Sequence, residues 1–540
     1  MPIESAHPPI SIPPVDVWTF LFDRSDREFP ENHVVYVDVS AQKQHTLRDV
    51  QDAALRFGQG IQRQWNWRKG DVMAVFTPNS AEVAPVTFGT LWAGGVSCPL
   101  NNLYTVGELV SQLRSSQAKA LTTHVACLEV AREAALLVGL PLDRIILVGP
   151  RDPKSRFQHF SDIKDSSSTV AEKVSIDPKE DLAFLVYSSG TTGLPKGVML
   201  THENIVTNLL QGIVMDVNRT HWSRDRTIGF LPLYHIYGLA VLLLSPVNRG
   251  IRVYIMQRFE LEPFCRLVQE ENITMAYVVP PVVLLLAKHP LIAKYNLGSL
   301  RMMHSSAAPL TNDLVEMVYK RLKVPIKQGY GLSEASPGVA SQSWDQWNTT
   351  VGSAGTLLPS ISLKCMDDGK EVALGETGEI WIKGPNICKG YYNNPKATAD
   401  SITPDGWYRT GDVGYIDKDH NIYITDRVKE LIKYNGFQVA PAQLEGLLLA
   451  HPAVNDVAVI GVYSPERATE LARAYVVPAK GFSSGPELEK EICDWLHQKV
   501  APHKRLRGGI RFVDAIPKSN AGKVLRRVLA EQAKKEMARL

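Results

Sequence analysis

Residues 187–200 read YSSGTTGLPKGVML, directly after the apolar run LAFLV at 182–186. Gly190 and Gly193 permit positive φ and let a ligand approach the backbone closely. Ser188, Ser189, Thr191 and Thr192 add hydroxyl groups, and Lys196 adds a compact cation suited to phosphate. Pro195 stiffens the turn. The stretch is not a Walker A sequence, because Gly197 and Val198 follow Lys196 in place of a hydroxyl residue. A bare string of Ser, Thr and Gly would read as an ordinary turn. A strand before it, a lysine inside it and a helix after it predict a phosphate-binding loop.

The composition narrows what such a loop could serve. A chain of 540 residues exceeds one ordinary core and predicts two or more domains. Its 44% apolar and 21% charged residues fit a soluble globular protein. A net charge of +3 over this length argues against a nucleic-acid partner, whose binding domain is normally strongly basic. The six cysteines are scattered without a C-x-x-C pair, which speaks against a disulfide framework or zinc site and for a reducing compartment. MPIESAHPPISIPP lacks a basic region followed by an apolar core, so it does not read as a secretory signal. GLAVLLLSPV and YVVPPVVLLLA are interrupted and too short to span a membrane, and read as buried helices or strands. Ala538-Arg539-Leu540 follows the small-basic-leucine pattern of a peroxisomal address. The expected partner is then a peroxisomal import receptor; without that address the location would be cytoplasmic.

Short apolar runs alternate with amphipathic stretches over most of the chain. DVMAVFT reads as a buried strand, with Asn79 or Ser80 able to cap a helix beginning AEVAPVTFGTLWAGG. The pattern recurs at RIILVG, IRVYIM, ITMAYVV before PPVVLLLAK, and RMMHS before LTNDLVEMVYKRL. Such alternation predicts an α/β protein with largely parallel sheets. Residues 150–170 read as a polar surface connection. Beyond Gly355, ISLKCMDDGKEVALGETGEIWIKG predicts a smaller β-rich subdomain through its Asp-Gly and Thr-Gly turns. The charged segment near DRVKELIKYNG places a boundary at about Arg427: a large amino-terminal domain over 1–426 and a compact α/β domain over 427–540.

YSSGTTGLPKGV resembles the signature of the adenylate-forming superfamily, which holds acyl-CoA synthetases, luciferases and peptide-synthetase adenylation domains. Further motifs follow in that family's order: QGYGLSE (328–334), YRTGD (408–412), DRVKELIKYNGFQVAP (426–441) and PKSNAGKVLRR (517–527). GDVMAVFTPNS and GYYNNPKAT also fit, so the resemblance spans nearly the whole chain. The wording is most similar to the 4-coumarate–CoA ligase-like branch. The implied fold is a large domain of several subdomains and a small mobile carboxyl-terminal domain.

The resemblance implies roles at matching positions. Tyr330 would stack on adenine, with Gln328 and Gly329 lining the nucleotide. Ser333 would offer a hydroxyl to the α-phosphate, and Glu334 would hold Mg²⁺, as suits a hard carboxylate beside phosphates. Asp412 would accept from both ribose hydroxyls. Arg427 would add a ribose or phosphate contact, Asp426 would open the hinge, and Lys429 marks the pivot. Lys523 would reach from the small domain to the acyl carboxylate and α-phosphate, where charge develops during adenylyl transfer. The basic residues around it, from Lys504 to Arg527, read mostly as a solvated face.

In a second step the small domain would turn, so that Lys433, Gly436, Phe437 and Gln438 border the pantetheine path. Asn435 replaces the lysine usual in the coumarate-type branch, while Arg258 keeps a cation for CoA phosphate. His235 would gate the acyl pocket, with Tyr237, Ala240, His304 and Ala307 as its walls. His304 takes the place of a lysine used toward a phenolic hydroxyl, so coumarate itself is not implied. The expected activity joins a carboxylic acid to coenzyme A with ATP, through an acyl-adenylate, releasing pyrophosphate and AMP. Aryl or arylalkenoic acids are preferred and medium-chain fatty acids come second. A luciferase-like oxygenase, a stand-alone adenylation enzyme and a non-catalytic nucleotide sensor are the rivals. Retention of both Glu334 and Lys523 speaks against the sensor.

Overall fold

The structure, a computed structural model, describes residues 2–151, 156–163, 172–188, 195–216, 218–350, 352–427, 430–434, 437–464, 467, 469–519 and 522–537. Ser189, Gly190, Thr191, Thr192, Lys429, Asn435, Gly436 and the terminal tripeptide lie outside them, and the side chains of Phe437 and Gln438 are not described.

Two large sheets carry the α/β alternation. In the first, six neighbouring strands run parallel, from Leu182–Ser188 through Val96–Leu100, Val72–Phe76, Ala120–His124 and Ile145–Val148 to Gln158–His159. Lys196–Thr201 and Gly390–Tyr391 extend it antiparallel. In the second, Ile326–Gly331, Met302–Ser305, Met275–Val278, Arg226–Gly229, Arg252–Ile255 and Val34–Asp38 are parallel neighbours. The central strands are buried along their length, as Val72–Phe76 is, because helices cover both faces of a parallel sheet. A third, antiparallel sheet runs Ile3–Glu4, Ser362–Asp367, Gly378–Lys383, Tyr408–Ile416, Ile422–Arg427. It is the expected β-rich subdomain.

The carboxyl-terminal part builds its own core on Val454–Ser464, Thr469–Pro478 and Ile510–Phe512. Strand alternation divides that core. Val457 and Val459 pack toward helices Pro441–Leu449 and Pro486–His497, while Ala458, Ile460 and Val462 pack toward Leu529 and Ala533 of Arg526–Met537. Among the described residues, no helix is long and apolar enough to cross a membrane.

Three expectations need correction. Lys196 opens a strand, so the glycine-rich stretch joins two antiparallel strands and the helix begins only at His202. The helix expected from Ala81 begins only at Val83; of its two expected caps, Ser80 Oγ accepts from the Glu82 amide at 3.2 Å in the turn before it, while Asn79 donates instead to the carbonyls of Leu231 and Met256. Residues 150–170 are not all surface connection: Gln158–His159 joins the first sheet, and Phe160 and Ile163 are buried.

Helices Leu47–Trp65 and Val83–Trp92 touch backbone to backbone where two glycines meet. A Cβ on Gly58 would lie 2.6 Å from the Gly89 carbonyl oxygen, and one on Gly89 would lie 2.4 Å from that of Ala54. Gly89→Val should therefore destabilise the large domain by about 1–3 kcal/mol or more. A thermal midpoint equal to that of the unsubstituted protein would contradict this packing.

Candidate active site

A cavity of about 690 Å³ opens where the two large sheets, the third sheet and the carboxyl-terminal domain meet. Ser188, Lys196, His235, Tyr237, Ala240, His304, Ala307, Gly329, Tyr330, Ser333, Glu334, Asp412, Arg427 and Lys523 all line it. Residues as distant in sequence as 188 and 523 are thereby brought to one cavity.

Asp412 and Arg427 are register partners on adjacent antiparallel strands, with Arg427 Nε 3.3 Å from Asp412 Oδ1. The Tyr330 hydroxyl donates to Asp412 Oδ2 at 2.5 Å. Burial raises the Asp412 pKa against the pull of Arg427 and the Tyr330 bond. Lys523 comes from the carboxyl-terminal domain on a turn fastened by Ser519, whose hydroxyl accepts from the Lys523 amide at 3.2 Å. Burial and the neighbouring Arg427 cation lower the Lys523 pKa, while Asp412, Glu334 and Glu430 oppose them.

Glu334 is buried, and its Oε1 accepts from Ser188 Oγ at 3.1 Å and from the Tyr391 hydroxyl at 2.9 Å. Tyr391 in turn lies 2.9 Å from the Tyr408 hydroxyl, and its ring faces Lys196 Nζ at 4.9 Å. Neither bond uses Glu334 Oε2. One oriented hard carboxylate of this kind fits Mg²⁺ held mainly by substrate phosphates. Among the described residues no cluster of three or more His, Cys, Asp and Glu forms a cage for a metal by itself.

The other end of the cavity is aromatic. Ile236–Gly238 continues into a widened π turn, Leu239–Leu244, and then Ser245–Arg249, so that Tyr237, Ala240, Val241, Ser245 and Arg249 share the cavity side. His235 Nδ1 accepts from the Tyr237 amide at 3.3 Å, so the neutral ring carries its proton on Nε2. Burial and repulsion from Lys523 bring the His235 pKa down to about 3. Burial and Lys327 do the same to His304, also to about 3, so both rings are neutral near pH 7. A Cβ at residue 329 would meet His304 Nε2 at 2.6 Å, which is why glycine stands there. Ala307 holds a φ of +74°, a strained conformation at the pocket wall.

Gln328 is not brought to the cavity. Strand alternation turns Lys327 and Gly329 inward, and Gln328 is buried and does not line the cavity, its backbone amide donating to Gln342 Oε1 at 2.8 Å. Tyr330 lines the cavity where its strand's pairing with Gly338–Ser341 shifts register. Arg258 lies outside this cavity, exposed and paired with Glu260 at 2.8 Å, and Lys433 is exposed on Ile432–Tyr434. The basic run is only partly a solvated face: Lys518 pairs with Asp456 at 2.7 Å, and Arg526 pairs with Glu430 and, at 2.7 Å, with Glu445.

Site residues missed by sequence reasoning include Tyr391, Tyr408, Ser519, Asp216, Arg249, Tyr277 and Lys327. Lys327 had a visible signal, a lysine inside the apolar run VPIKQ.

The profile of the family "AMP-binding enzyme" matches residues 22–392, and that of "AMP-binding enzyme C-terminal domain" matches 443–523. "Probable 4-coumarate–CoA ligase 1" of Dictyostelium discoideum is 38% identical over 98% of this chain and 97% of its own length. "4-coumarate–CoA ligase 1" of Petroselinum crispum is 39% identical over 86% of this chain and 84% of its own. Among solved structures, the anthranilate CoA ligase AuaEII in complex with anthranoyl-AMP superposes with a TM-score of 0.86 at 26% identity, covering 98% of this chain and 99% of its own.

The domain junction that encloses Lys523 is itself close-packed. Lys288 Nζ donates to the carbonyls of Leu449 and Val454 at 3.0 and 3.1 Å, and a Cβ on Gly446 would meet Thr311 Cγ2 at 2.2 Å. Gly446→Val should loosen this docking and open position 523 to solvent. A cysteine placed by Lys523→Cys should then react with a thiol reagent at least about tenfold faster in the Gly446→Val background; equal rates would show that the contact does not hold the domain. With its profile matches and relatives spanning nearly all its length, the chain belongs to the AMP-binding enzyme family.

Proposed function

We propose that this protein is an ATP-dependent acid–CoA ligase that forms an acyl-CoA thioester through an acyl-adenylate, with an aryl or arylalkenoic acid as its substrate. The observation that carries the reading is the meeting of Lys523, Asp412, Glu334 and His235 around one cavity with an aromatic end. The relatives named as 4-coumarate–CoA ligases and the neighbour holding anthranoyl-AMP support the same chemistry and the aryl preference.

In the first step a carboxylate oxygen of the acid attacks the α-phosphorus of ATP, and pyrophosphate leaves. Asp412, kept in place by Tyr330 and Arg427, accepts the ribose hydroxyls. Lys523 contributes its cation where negative charge gathers on the transferring phosphoryl oxygens. Lys196 and Ser333, both lining the cavity, bind phosphate. Glu334 would hold Mg²⁺, which when bound neutralises triphosphate charge and favours departure of pyrophosphate. Neutral His235 borders the acid without adding charge. In the second step the CoA sulfur attacks the acyl carbonyl, the carbonyl–phosphate bond breaks, and AMP leaves as the thiol proton passes to solvent. Lys433, Gln438 and Arg258 are assigned to CoA in that step, after the small domain has turned. The stretch Ala538-Arg539-Leu540 supports peroxisomal import as part of this proposal. A fluorescent tag placed after Leu540 should abolish a punctate distribution that an amino-terminal tag preserves.

AMP release from ATP, measured with benzoate, cinnamate, 4-coumarate and octanoate, should require CoA for sustained turnover and be fastest with an aromatic acid. CoA-independent turnover would defeat the ligase reading. Lys523→Ala should slow acyl-adenylate formation about a hundredfold or more, while thioester formation from synthetic acyl-adenylate stays near its original rate. The unsubstituted enzyme should lose adenylation as pH rises through the lysine's lowered pKa, below the free value of 10.5, because only the protonated form carries the needed charge. Equal damage to both half-reactions by Lys523→Ala would defeat the assigned division of labour.

A further inference from the structure

The aromatic end of the cavity closes on a group of charges. Tyr277, His304 and Lys327 are register neighbours on three adjacent parallel strands, so their side chains stand in a row on the cavity side of the sheet. Beyond them Asp216, from the end of helix His202–Asp216, is only 7% exposed and accepts from three donors. Lys327 Nζ reaches Asp216 Oδ1 at 2.6 Å, Trp344 Nε1 reaches the same oxygen at 2.9 Å, and Arg249 Nη1 reaches Oδ2 at 3.1 Å. Lys327 is 2% exposed, yet it and Arg249 both line the cavity.

The charges in this group do not balance. Burial works against the Asp216 anion, but Lys327 and Arg249 hold its pKa well below the carboxylate range, so it remains ionised. One anion faces two cations, which leaves one positive charge at the closed end of a largely aromatic pocket. An ammonium has three donors, and Asp216 takes one of those of Lys327. A latch between helix and sheet would need only one cation; the second, Arg249, is half-buried and also donates through Nη2 to Thr220 Oγ1, a neutral group, so its charge is costly there unless another anion arrives. The neighbouring His304 Nε2 is buried without a partner among the described residues and stays neutral, so it adds no charge of its own. The rings of Tyr237, Tyr277 and His304, with centroids 5.9–6.2 Å apart, suit a flat spacer leading to the charged floor.

We propose that the acid activated by this enzyme carries a second anionic group at its far end, received by Lys327 and Arg249, with Asp216 holding both cations in place. This deepens the ligase reading and rests on it. Lys327 and Arg249 are thus specificity residues, and they take no part in adenylation.

The test compares diacids with neutral analogues of matched shape: 4-carboxycinnamate against its 4-methyl ester, and terephthalate against its monomethyl ester. Binding is measured by calorimetry and turnover by AMP release with CoA. In at least one pair the diacid should bind and turn over about ten- to a hundredfold better, as a hydrogen bond to a charged group allows. Lys327→Met should erase that ratio, and Lys327→Arg should keep most of it. Equal or better binding of both esters by the unsubstituted protein overturns the proposal, even where Lys327→Met fails to fold. A ratio unchanged in folded Lys327→Met overturns it too, since a merely structural latch would alter stability but not the choice between acids. Diacid-selective binding with no AMP release would support the charged floor while defeating the ligase reading.

Discussion

Bringing the Lys523 ammonium into a protein cavity carries a desolvation cost that only facing carboxylates offset. Asp412, Glu334 and Glu430 supply them, and Arg427 subtracts from their effect. Much of the site follows from this balance. Asp412 must be ionised although buried, so it is held between the Tyr330 hydroxyl and Arg427. Glu334 must be aimed at the cavity, so Tyr391 and Ser188 fix one of its oxygens. The small domain must dock closely, so glycine stands where its helix meets Thr311.

The histidines answer the same electrostatics in the opposite way. His235 faces Lys523 and His304 faces Lys327, and each stays neutral because burial and a nearby cation both disfavour its proton. The cavity therefore presents cations at its two ends and neutral rings between them. That distribution suits a ligand with charge at both ends and a flat apolar middle. In the proposed reaction a nucleotide phosphate and an acid carboxylate would meet at one end, and the proposed distal anion would lie at the other.

The parallel sheet is what makes the pocket floor. Register between Met275–Val278, Met302–Ser305 and Ile326–Gly331 aligns one inward residue from each strand. Asp412, Arg427 and Glu334 stand on other elements, and the two halves of the site meet on Ile326–Gly331, which carries Lys327 to the floor and Tyr330 to Asp412.

Sequence alone determined the α/β alternation and the β-rich subdomain, and it named most of the residues that line the cavity around Asp412, Glu334 and Lys523. Those features are carried by local signals: strand and helix periodicity, turn residues, and motifs whose glycines and charges stand next to one another in the chain. Tertiary structure decided the rest. That the glycine-rich stretch leads into an antiparallel strand depends on pairing with Leu182–Ser188, and no single-chain periodicity encodes the partner. Gln328 and Tyr330 look alike in a motif, but only Tyr330 lines the cavity, and it stands where the pairing with Gly338–Ser341 shifts register. Tyr391 and Tyr408 act on Glu334 through buried hydroxyls contributed by separate strands. Asp216, Arg249 and Lys327 are ordinary charges along the chain; they become a buried group with one unbalanced positive charge only when long-range packing removes water from around them.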